Sequence, residues 1–100
     1  MPIFDVNQHV GFSEKFTPRI LHVDERMKLV LVCLEPGQRI PPHAEENQGV
    51  FTVLEGSGIM TTDDGELPIK AGSVVVVRHG GTRGIRAENG RLVVLANAIL

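Results

Sequence analysis

His43 and Glu45 stand two residues apart within GQRIPPHAEENQGVFTVLEG, the stretch from Gly37 to Gly56. On an extended chain, side chains at i and i+2 leave the same face. An imidazole and a carboxylate so placed can jointly ligate a divalent cation, and the imidazole can also act as a base or a hydrogen-bond partner. Two donors are too few for a tight metal site, so Glu46 or Gln48 would have to complete one. The alternatives are plainer: His43 as a buried ring bonded to the backbone, Glu45 as a solvated loop acid. The other histidines offer less. His79, in Arg-His-Gly-Gly, reads as a rim or turn residue, and His9 and His22 read as surface residues without partners at a useful spacing. Ser13, Ser57 and Ser73 all sit in turn contexts, so no Ser/His/Asp arrangement can be read. Gly80-Gly81 reads as a loop bend, since no helix follows whose dipole could hold a phosphate.

The polar cluster must be positioned by short strands. Apolar runs Arg19–Val23, Met27–Leu34, Val50–Leu54, Ile59–Thr62, Glu66–Ile69, Ser73–Val77, Arg83–Ala87 and Arg91–Ala96 are cut by turn residues at intervals typical of an all-β chain. Asp63-Asp64-Gly65 and Asn89-Gly90 are hairpin signals. Met27–Leu34 (MKLVLVCL) is too apolar for a half-wet face and reads as a central strand, with Cys33 a small core residue. Pro41-Pro42 makes a stiff extended lead into His43. The chain divides into an irregular arm, residues 1–15, with Pro2–Phe4 a candidate short strand, and a barrel domain, residues 16–100. Phe4, Phe12 and Phe16 suggest that the arm packs against something. Nine or so strands and no convincing helix give an all-β barrel or double sheet.

Composition narrows the function classes. With 42% apolar and 22% charged residues in a 100-residue chain, the pattern is that of one globular domain. A net charge of -2 and scattered Lys and Arg argue against a nucleic-acid partner. No apolar run approaches the ~20 residues of a membrane helix, and the opening MPIFDVNQHVGF has no secretory pattern. A single cysteine excludes an internal disulfide framework. A cytoplasmic protein without a membrane partner is expected.

Leu34 to Leu95 resembles the small single-domain cupins. Their first motif runs Gly, five residues, His, one residue, His, three or four residues, Glu, six residues, Gly; Gly37, His43 and Gly56 match it. Their second runs Gly, five residues, Pro, one residue, Gly, two residues, His; Gly72 and Gly80 match it. The resemblance implies a jelly-roll β-barrel of two antiparallel sheets around a pocket that includes His43. It also implies, in members with the full motif, a divalent metal on three His and one Glu. Here Glu45 replaces the second His, Gly49 the Glu, Arg83 the last His and Arg78 the Pro. A guanidinium has no lone pair for a metal. Arg83 therefore either points inward, as a cation partly balanced by an ion pair with Glu45, or lies outward on a shifted strand.

Two functions follow from the resemblance. One is a pocket for a small anionic metabolite, with His43, Arg83 and Gln48 as ligand-binding residues. The other is a metal-dependent enzyme (a dioxygenase, isomerase or decarboxylase) with a rearranged metal site on His43 and Glu45. A homodimer is expected, from the short chain, the apolar arm and the Val and Leu on both strand faces, and because small cupins commonly pair sheets or swap an N-terminal strand.

Overall fold

The computed structural model describes residues 1–100 as two antiparallel sheets facing each other. Its strands are β1 (Arg19–Val23), β2 (Met27–Leu34), β3 (Arg39–Ala44), β4 (Gln48–Glu55), β5 (Ser57–Thr62), β6 (Gly65–Lys70), β7 (Val74–Val77), β8 (Thr82–Ala87) and β9 (Leu92–Ile99). One sheet has the order β1-β2-β9-β4-β7 and the other β3-β8-β5-β6. No helix is long and apolar enough to cross a membrane.

The period-two alternation of the apolar runs decides what lies between the sheets. On β2, β9 and β4 the inward side chains form cross-strand rungs. Leu34 lies opposite Leu92, and Val32, Val94 and Val53 make the next rung. Val30, Ala96 and Phe51 follow, then Lys28, Ala98 and Gly49. From the facing sheet, Met60, Ile85 and Ala87 close on the first rungs to make the main core. Along β9 these side chains shrink from Leu92 through Val94 to Ala96 and Ala98, and β4 ends in Gly49, so the barrel is filled at one end and open at the other.

Central strand β2 is apolar on both faces because both are covered. Its outward Leu31 and Cys33, with Val93 of β9, form a second cluster under Val6, Val10 and Phe12 of the arm. The arm thus lies across a sheet face rather than along an edge. For that reason the strand expected at Pro2–Phe4 is absent, and the arm's one regular element is a 3₁₀ turn, Val6–Gln8, capped by the Asp5 carboxylate. Arg91 stacks over the Phe12 ring at 4.3 Å. The Gln38 amide donates to the carbonyls of Ser13 and Glu14 and fastens the arm's end.

Candidate functional site

His43 reaches the barrel interior through a slip in the β3–β8 ladder. Ile40 pairs with Ile85 and His43 with Arg83, so Pro41 and Pro42 together oppose only Gly84. On a regular strand Ile40 and His43, three residues apart, would face opposite ways. The bulge absorbs one residue and turns both inward. The prolines are tolerated because β3 is an edge strand, where missing N–H groups break few ladder bonds. Gly84 is required across from them: a Cβ there would lie 2.8 Å from the Pro42 backbone. The stiff lead expected before His43 is therefore part of a strand, and its irregularity is what aims the imidazole.

Arg83 points inward and is only 6% exposed. Its guanidinium donates to the Asn47 side-chain carbonyl and the Asn47 backbone carbonyl, both at 2.9 Å. It also reaches the backbone carbonyls of Glu45 at 3.4 Å, Arg78 at 3.2 Å and Gly81 at 3.2 Å. Gly80 N–H donates to the Glu45 carbonyl at 2.7 Å, and the His79 ring bonds the Glu46 carbonyl. Arg83 and His79 thus tie residues 45–47 to the loop 78–81. Arg78, Arg86 and Arg91 each meet a carboxylate, whereas Arg83 meets none. Its charge is held by neutral dipoles alone.

The expected Glu45–Arg83 ion pair does not form. Glu45 gives Arg83 only its backbone carbonyl, because the guanidinium is buried beneath the loop while the carboxylate projects at the mouth. There Glu45 Oε1 lies 3.2 Å from His43 Nε2, with both side chains nearly half exposed (45% and 47%). The other ring nitrogen, Nδ1, faces the Pro41 carbonyl at 2.9 Å and must donate to it. His43, Glu45 and Arg83 all line one cleft of about 440 Å³, with Asn47 and Gly49. Its walls are apolar, among them Phe16, Val30, Phe51 and Ile85. Gln48 is not among the lining residues: it alternates with Gly49 and Phe51 and lies on the other face of β4. His9 packs edge-on against Phe4, and His22 pairs with Asp24 at 2.8 Å, both outside the lining.

Two lining residues escape a reading based on polar clusters. Asn47 was visible only as one of five polar residues, without its role of clamping Arg83. Lys28 is concealed in the apolar run MKLVLVCL, although it shares the parity of Val30, Val32 and Leu34 and so must face inward with them.

A family model for the cupin domain matches residues 30–96. The chain belongs to the cupin family. Members of this family often bind small molecules or metals. No curated protein is significantly similar to this cupin. Among solved structures it is similar to a Thermus thermophilus protein, TT1209, with a TM-score of 0.92 and 25% identity over 99% of this chain and 97% of that one. An RmlC-like cupin from Desulfovibrio desulfuricans matches with a TM-score of 0.84 and 28% identity, over 98% of this chain and 96% of that one. A double-stranded β-helix domain protein from Klebsiella pneumoniae shares the fold at a TM-score of 0.90 and 19% identity, over 99% and 90%. The motif glycines have a backbone reason to be glycine: Gly37, Gly56, Gly72 and Gly80 all have positive φ, at 85°, 82°, 94° and 74°.

The residues present do not fit the metal site that the full cupin motif implies. Of its four ligand positions, only His43 keeps a motif ligand. A Cβ at Gly49 would lie 2.7 Å from Arg83 Nη1 and 2.7 Å from the Phe51 ring, so the guanidinium fills the space a glutamate would need. No three His, Cys, Asp or Glu side chains gather anywhere in the chain.

Proposed function

We propose that this cupin is a binding module for a small anionic molecule, held in the cleft beside Arg83 and His43 without a metal. The observation that carries the reading is a buried cation with no carboxylate partner at a cleft of ligand size. Pockets for small molecules run to about 300–1,000 Å³ with mostly apolar walls and a few polar groups, and this one has about 440 Å³. An uncompensated charge in low dielectric attracts a counter-ion far more strongly than the same charge in water. A thermal-shift series with small carboxylic acids tests the reading. A rise in melting temperature supports it, and no shift with any acid opposes it.

One observation favours the second reading, an enzyme with a metal on His43 and Glu45. An imidazole that donates Nδ1–H to a carbonyl while Nε2 faces a carboxylate oxygen is arranged as metal-binding histidines often are. Against it stand the shortage of donors and the fixed cation. Metal analysis of protein purified without a His tag separates the two. Near-stoichiometric metal, lost in His43→Ala, would support the enzyme.

We also read this cupin as a homodimer. Leu54, Val74 and Val76 lie on the outer face of β4 and β7, exposed at 40%, 60% and 60%, beyond the part of the sheet that the arm covers. Adjacent exposed apolar residues of this kind mark association surfaces. Light scattering coupled to size exclusion should give twice the chain mass; a clean monomer at micromolar concentration would retire the reading.

A further inference from the structure

The cleft has a second cation, on the opposite wall. Lys28 projects from β2 of the five-stranded sheet, whereas Arg83 belongs to β8 of the other, and both line the same cavity. Lys28 is half-buried and makes no hydrogen bond or ion pair with its side chain. The rung beside it carries only Ala98 and Gly49, so nothing bulky stands between its stem and the cleft. Arg83, by contrast, is almost spent. Its Nη2 and Nε hydrogens go to backbone carbonyls, and Nη1 donates to Asn47, which leaves one N–H of five without a partner. The single acidic side chain in the lining, Glu45, is taken by His43. A chain of net charge -2 thus places two cationic side chains, neither paired with a carboxylate, in one apolar-walled cleft.

We infer that Lys28 is the residue that contacts the ligand's anion, and that the ligand is a small organic acid with an apolar body rather than a compact polar anion. Arg83 positions the rim and adds its field, while the ammonium, flexible and unpaired, closes on the acid group. The walls of Phe16, Val30, Phe51 and Ile85 offer an inorganic anion nothing and bury an aromatic or branched body well. Lys28 and Arg83 line the cleft from opposite sheets and neither has a carboxylate partner there, so a bound acid would supply the counter-charge both lack. The inference rests on the binding reading above and assigns its specificity to a residue outside both sequence motifs.

Two fluorescent probes with the same aromatic body make the test. 1-Anilinonaphthalene-8-sulfonate carries an anionic group, and N-phenyl-1-naphthylamine lacks it. Both are titrated into the parent protein and Lys28→Met, which keeps an apolar stem of similar length. A charge-assisted contact in a partly buried site is worth about tenfold to a hundredfold in affinity. The expected result is a loss of that size for the sulfonate in Lys28→Met, with the neutral probe bound as in the parent. Equal sulfonate binding by both proteins overturns the inference and leaves the cleft reading standing. A parallel fall for both probes also overturns it, since the stem rather than the charge would then matter. If the parent binds neither probe, the binding reading itself fails, and the inference with it.

Discussion

The two ends of the barrel are built by the same strands with the same alternation, yet only one end is solid. At the closed end Leu34, Leu92, Val53 and Met60 interlock with 2% exposure or less. At the open end β9 supplies only Ala96 and Ala98 and β4 ends in Gly49, so Val30, Phe51 and Lys28 line a space instead of filling it, and the facing sheet supplies Arg83 instead of a hydrocarbon. Strand order does not distinguish the ends. Side-chain volume does. The closed end holds the sheets together by burial, so the open end is free to keep a cavity and a charge that burial alone would never favour.

If that division is correct, substitutions at the two ends should behave differently. Leu92→Ala at the closed end leaves a cavity in a dry core and should cost about 4 kcal/mol in urea unfolding. Arg83→Met should cost less, about 2–3 kcal/mol, because it leaves the carbonyls of Asn47, Arg78 and Gly81 short of donors. Equal losses at both positions would mean that the guanidinium belongs to the core rather than to the site. Ala98→Val fills part of the open end. It should change stability by less than about 1 kcal/mol, while abolishing the melting-temperature rise produced by carboxylic acids.

Acid should act at the surface, with the smallest effect. Asp63 is held below its ordinary value of 3.8, first by the Thr82 backbone N–H and also by Arg78. Glu66 is held below 4.5 by its hydrogen bond and ion pair with Arg86. The folded carboxylates release protons more readily than the unfolded ones, so their contribution is complete above those ordinary values and fades as pH falls through the lowered ones. The melting temperature should therefore drop below about pH 4, and Asp63→Asn should make that drop shallower. A steeper fall in the variant would reverse the sign assigned to Asp63.

Much of the fold was legible because apolar runs and turn residues are local signals. β1 and β2 were readable to the residue, and the largely apolar β2 indicated a strand covered on both sides. The candidate site was legible only in part. His43 could be located, but its inward aim depends on a bulge whose tolerance is set by Gly84, more than forty positions away in the chain. The Glu45–Arg83 pair was a reasonable expectation from opposite charges at matching positions. It failed because the guanidinium's actual partners are mainly backbone carbonyls, which every residue has and no sequence displays. Lys28 was concealed for a different reason: a lone charge in an apolar run looks like an interruption until parity shows which way it faces.

The substitution of Arg83 and Gly49 for metal ligands is tested most directly by crystals of untagged protein measured at the absorption edges of iron, nickel and zinc. Density for an organic anion between Lys28 and Arg83, with no anomalous signal near His43, is the expected result. An anomalous peak at full occupancy, coordinated by His43 Nε2 and the Glu45 carboxylate, would contradict it.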